Sequence, residues 1–139
     1  WDEGSFDLIY ASHVLEHVHR KMVSVTLHHW HSMLKKGGVL RLAVPNFDAV
    51  VDRYKETHDI EEVMGLLYGG QTYPRNNHFI TFNHDSLSAY LKRAGFRTVK
   101  PWDWRKTEHA EHDDYSQCYL PHLDKANGRL MSLNLEAVK

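Results

Sequence analysis

The chain has 139 residues, 42% of them hydrophobic, with 17 Lys and Arg set against 18 Asp and Glu for a formal charge of −1. That is enough chain for one domain with its own core, and the basic residues are too scattered among acidic ones to form a nucleic-acid surface. A single cysteine, Cys118, excludes an internal disulfide and fits a reducing, cytoplasmic setting; no apolar run is long enough for a membrane span, and no signal peptide opens the chain.

Residues 6–11 form a short apolar run rich in β-formers, as expected of a strand buried on both faces of a parallel sheet. It stops at Ser12-His13, and residues 13–18 read as a short helical turn. Val23, Leu27, Trp30, Met33 and Leu34 then recur at helical spacing, which predicts an amphipathic helix over residues 22–34 closed by Lys35, Lys36 and Gly37. Residues 39–44 are a second strand, stopped by Pro45. Asn46 is placed to cap a helix over residues 47–56. Asp59 and Glu62 have capping-box spacing and open a helix that Gly69-Gly70 closes.

Residues 71–84 carry Pro74 and Asn76-Asn77 without periodicity, so they form a long loop of the kind that often holds function. Asn83 caps a helix over residues 85–93, with Gly95 as its left-handed stop. A third strand follows over residues 96–102. Residues 104–127 are polar, histidine-rich and aperiodic. Residues 130–138 alternate as a last strand, with Leu133, Leu135 and Ala137 on one face.

Two segments carry a family resemblance: Asp-Leu-Ile-Tyr-Ala-Ser-His-Val-Leu-Glu-His from Asp7, and Leu-Lys-Lys-Gly-Gly-Val-Leu-Arg-Leu-Ala-Val-Pro from Leu34. With Tyr68-Gly69-Gly70-Gln71, Ala94-Gly95-Phe96 and the terminal Ser132 to Lys139 stretch, the chain resembles class I S-adenosylmethionine-dependent methyltransferases of a small bacterial, type 11-like group. The resemblance implies an α/β, Rossmann-like fold, specifically its C-terminal half: a mixed sheet ordered first, second, fourth, third, with an antiparallel last strand and helices on its faces. The family's glycine-rich cofactor loop would lie upstream of Trp1. The expectation is therefore a single, N-terminally truncated domain over residues 1–139, holding half of the cofactor site. Its first strand, residues 6–11, would be an apolar edge that self-association covers, giving a homo-oligomer.

By resemblance, the activity is methyl transfer from S-adenosylmethionine to a small-molecule or glycan-precursor acceptor, with no nucleic-acid or membrane partner. Tyr10, Ala11, Ser12, His13 and Leu15 are the expected cofactor contacts. His13 and His78 are the candidate catalytic residues, since a neutral imidazole can take the acceptor's proton near pH 7. Gln71 and His78 are the expected acceptor contacts. One alternative is a non-catalytic module that self-associates. Another is metal-assisted transfer through His13, Glu16 and His17, whose i, i+3, i+4 spacing puts three donors on one face of a helical turn. The remaining histidines read as ordinary: His28 and His31 as a solvated helix face, and His109, His112 and His122 as surface. Trp102 and Trp104 read as packing rather than as a stacking platform for bases.

Overall fold

The computed structural model describes all 139 residues. A four-stranded sheet, ordered β1-β2-β6-β3, forms its centre. Strand β1 (Phe6–Ser12) runs parallel to β2 (Leu34–Pro45), while β6 (Ser132–Val138) is antiparallel to both β2 and β3 (Thr98–Pro101). The order and the antiparallel last strand match the sequence expectation. A short hairpin of β4 (Tyr119–Leu120) and β5 (Arg129–Leu130) stands apart. No helix is long and apolar enough to cross a membrane.

Period-2 alternation divides the sheet into two different faces. Ile9, Leu40 and Ala137 lie in register, as do Ala11, Leu42 and Leu135. Their face packs on α1 (Val23–Met33) through Val23 and Leu27, and on α4 (His84–Arg93) through Leu87 and Leu91, forming the main core. The opposite face carries the row Tyr10, Arg41, Glu136 and Lys100. A second, smaller core joins Ala49 and Val50 of α2 (Phe47–Thr57) to Val63 of α3 (Glu61–Tyr68) and to Met131.

The polar face is where the aperiodic tail folds. Trp102 lies under it, its indole N–H donating to the Leu42 carbonyl at 2.9 Å. Arg41 packs over the Trp102 ring and pairs with Glu136 at 2.8 Å and with Glu108 at 3.1 Å. Tyr10 stacks on His109 at 4.2 Å and donates to Asp114 at 2.5 Å. Asn134 donates its amide N–H to the Ser116 carbonyl at 2.9 Å. Polar side chains at fixed intervals on β1, β2 and β6 thus organise a segment that has no periodicity of its own.

Helices α2 and α4 end by local rules, whereas α1 and α3 depart from them. Asn46 caps α2 by accepting from the Asp48 N–H, and Asn83 forms a capping box with Ser86. Gly95 follows α4 at φ +103, where an added Cβ would meet the His31 ring at 3.1 Å. At α3, Asp59 accepts the Glu61 N–H, but Glu62 is held by Arg53 instead of completing a capping box. The expected stop of α1 at Gly37 is not found, because Leu34 is already extended and opens β2. The last carbonyls of α1 are satisfied from elsewhere. Gly4 and Ser5 donate to Ser32 and Met33, and the Lys139 ammonium donates to the Ser32 and Leu34 carbonyls.

Leu135 is fully buried at the centre of β6. Leu135→Ala removes about three methyl-sized groups from a packed layer and is expected to lower unfolding free energy by about 2–5 kcal/mol, read as a drop in the urea midpoint.

Candidate functional site

Parallel strands β1 and β2 end together, with Ser12 beside Ala43 and the His13 N–H donating to the Ala43 carbonyl at 2.8 Å. Ligands in open α/β sheets bind outside this carboxyl edge. His13 leaves the strand at φ +49, a left-handed turn that redirects the chain sharply into a 3₁₀ turn over Leu15–His17. A cleft of about 520 Å³ opens here. Ser12, His13 and His17 line it from the strand end, Glu62, Gly65 and Leu66 from α3, and Gly70, Tyr73, Asn76 and His78 from the following loop. Tyr115, Cys118 and Leu120 of the tail close it on the far side.

The turn buries a carboxylate. Glu16 has no exposed surface, and neither of its oxygens has a hydrogen-bond partner. His13 Nδ1 lies 3.2 Å from Glu16 Oε1, close enough for charge attraction but off the line of a hydrogen bond. The other side of the His13 ring, Nε2, is 3.3 Å from the Ser132 hydroxyl at the start of β6. Tyr115 faces the same ring at 5.3 Å.

The loop over residues 69–83 is pinned to this turn. Phe79 N–H donates to the Glu16 carbonyl at 2.8 Å, and His78 N–H to the Tyr68 carbonyl at 3.1 Å. His17 Nδ1 sits 3.1 Å from the Asn77 carbonyl, and His78 Nδ1 sits 2.9 Å from the Leu66 carbonyl. A carbonyl only accepts, so both rings donate from Nδ1 and keep Nε2 as an unprotonated lone pair when neutral. The two rings meet edge to face at 4.7 Å. Burial lowers the His78 pKa, favouring its neutral form.

The residues expected at the site differ in where the structure places them. Ser12, His13 and His78 all reach the cleft. Leu15 does not line it: its side chain is fully buried in the main core. Ala11 also faces that core, one residue out of phase with Ser12. Tyr10 points to the polar face, held by Asp114 and His109 rather than facing the cleft. Gln71 lies at φ +51 on the exposed rim, its amide N–H donating to the Tyr68 carbonyl, and does not line the cleft.

The metal-ligand alternative also changes. A 3₁₀ turn starting at Leu15 leaves His13 outside the turn, so His13, Glu16 and His17 do not share a helical face. Glu16, His17 and His78 are the residues whose ligand atoms gather, all within 4.8 Å of one another. Sequence spacing misses this set because His78 is far along the chain. Tyr115, Ser116 and Asp114 are likewise delivered by the tail, where only a short polar run hinted at them.

Asp114 positions the tail against the strand end. Its burial would raise the carboxyl pKa, but hydrogen bonds from Ser116 and Tyr10 outweigh that and hold it below the ordinary value. A lowered carboxyl pKa gives stability that is present above the unfolded value, near 3.8, and is lost as pH falls through the lower folded value. Asp114→Asn is therefore expected to weaken the protein at pH 7 and to shrink its stability loss below about pH 4, read by denaturation at stepped pH.

A family model described as a methyltransferase domain matches residues 2–100 of this chain. No curated protein matches it in sequence. Among solved structures, it is similar to a putative O-methyltransferase from Nostoc punctiforme, at 12% identity and a TM-score of 0.56, over 99% of this chain and 32% of that one. It is also similar to a possible histamine N-methyltransferase from Thermotoga maritima, at 16% identity and a TM-score of 0.55, over 99% of this chain and 58% of that one. A third is the 1,6-didemethyltoxoflavin-N1-methyltransferase of Burkholderia thailandensis, solved with 1,6-didemethyltoxoflavin and S-adenosylhomocysteine bound. There the identity is 20% and the TM-score 0.56, over 99% of this chain and 45% of that one. The chain thus spans less than two thirds of the length of each. With the domain match covering most of its length and a Rossmann-like sheet ending at this cleft, the chain belongs to the methyltransferase-domain family of the class I fold.

Proposed function

We propose that the residues at the carboxyl edge of β1 and β2 serve methyl transfer from S-adenosylmethionine to a small-molecule or glycan-precursor acceptor. The observation that carries this reading is the cleft itself: the parallel strands of a methyltransferase-domain chain end, at Ser12 and His13, on its wall. Methyl transfer needs an in-line approach, a dry pocket and, for acceptors that must lose a proton, a base. His13 is the proposed base, since its ring lies between Glu16 and Ser132 and faces the cleft. His78 is the proposed second acceptor contact, and the Ser12–His13 strand end the proposed neighbour of the cofactor's methionine portion.

In this proposal these residues form the part of the cofactor's seat beside its methionine portion. Titration calorimetry with S-adenosylhomocysteine, on this chain and on the longest natural chain containing it, tests the reading. Binding is expected in at least the longer chain. His13→Gln is expected to lower methyl transfer about 10²–10⁴-fold at saturating S-adenosylmethionine, beyond any change in cofactor affinity. Absence of binding by both chains overturns the proposal.

A second reading, a non-catalytic module that self-associates, is favoured by one observation: β1 is an edge strand of the sheet. Edge-to-edge pairing through β1 is expected to give a dimer mass by light scattering. A monomer mass at every concentration tried removes it.

A further inference from the structure

Glu16 is the least expected residue in the protein. A charged side chain is rarely fully buried unless paired, and the uncompensated burial of one carboxylate costs several kcal/mol. Yet neither Glu16 oxygen has a hydrogen-bond partner, and its nearest nitrogen, on His13, is out of line. Buried this way, the carboxylate stays ionised only with a positive charge beside it. His13, 3.2 Å away, carries charge only when protonated, Arg53 is committed to Glu62 through two hydrogen bonds, and Arg41 to Glu136 and Glu108 on the other face of the sheet.

Two imidazoles lie beside this carboxylate, edge to face with each other. His17 and His78 each direct Nδ1 to a backbone carbonyl, which fixes the ring and leaves Nε2 free. This is how histidines are held when the opposite nitrogen binds a metal, the carbonyl acting as the orienting partner. The ligand atoms of Glu16, His17 and His78 lie within 4.8 Å of one another, and closure on an ion would bring them to about 3.3 Å apart. His17 and His78 also line the cleft, so a fourth position would face it.

From this geometry we infer that Glu16, His17 and His78 form a divalent-cation site with two imidazoles, one carboxylate and one open position. Mixed N/O donors and a count of three suit Zn²⁺, with Co²⁺ as its spectroscopic substitute, better than Mg²⁺ or Ca²⁺, which prefer oxygen cages. The ion would supply the charge Glu16 lacks and clamp the loop over residues 69–83 to the turn after β1. The site lies wholly within this chain and stands independently of the methyl-transfer reading.

Chelator-treated protein without a histidine tag, titrated with Co²⁺ and followed by visible absorption, tests the site, with Zn²⁺ then displacing the cobalt. One equivalent giving the intense bands of four-coordinate cobalt is expected. Glu16→Gln and His78→Gln are each expected to weaken binding more than about 100-fold, since loss of an orienting partner alone costs 10–100-fold. His28→Ala, on the exposed face of α1, should leave it unchanged. Metal-free Glu16→Gln should unfold at the same temperature as the parent or higher, because the substitution removes a buried charge, so its loss of metal cannot be ascribed to misfolding. No stoichiometric cobalt spectrum, or Glu16→Gln binding within threefold of the parent, overturns the site. Calorimetry with S-adenosylhomocysteine on the same preparations separates failure of the metal site from failure of the cofactor reading.

Discussion

The parallel pairing of β1 with β2 fixes everything else in the molecule. Its register places Ser12 beside Ala43, so the chain leaves the sheet at a single edge and must turn there at His13. Because β6 runs antiparallel to β2, it enters the sheet at that same edge, bringing Ser132 to the His13 ring. A one-residue slip in the β1–β2 register would move Ile9 and Ala11 out of the core and Tyr10 into it. The site and the core thus depend on one ladder.

The two sheet faces obey different physics. On the core face, Leu40, Leu42, Leu135 and Ala137 exclude water against α1 and α4, a non-directional force that tolerates approximate geometry. On the other face, Tyr10, Arg41 and Asn134 make directional contacts with the tail, and Glu136 pairs with Arg41 within the sheet. Arg41 pairs with one carboxylate from its own sheet and another from the tail, while lying over Trp102. Such charge-assisted bonds specify where the tail lies more than they stabilise it. The result is a tail that reaches the cleft at Tyr115 and Cys118 without a long regular element.

At the cleft, hydrogen-bonding demand replaces packing as the governing constraint. The loop over residues 69–83 has almost no regular structure, yet its backbone is tied to the Glu16 carbonyl and to Tyr68, and its His78 ring to Leu66. Gly69 permits this close approach: at φ +76, an added Cβ would lie 2.4 Å from the Asn76 carbonyl oxygen. These bonds enclose Glu16, which keeps the turn's carboxylate away from water and beside His13, His17 and His78.

Much of this was determined locally. The apolar run of β1, the capping asparagines Asn46 and Asn83, the stop at Gly95 and the alternation of β6 are readable because period and cap chemistry act over a few residues. The same locality made Ser12 and His13 legible as cleft residues, since the end of a parallel strand is a position in sequence as well as in space. Tertiary structure decided the rest. Helix α1 ends before Gly37 because Gly4, Ser5 and Lys139 satisfy its carbonyls from the two ends of the chain. Leu15 turns into the core, Tyr10 is claimed by Asp114, and Gln71 stays on the rim, because each orientation depends on a partner distant in sequence. His78 joins Glu16 and His17 only through loop closure, and no spacing rule within a single helical turn could have predicted that trio.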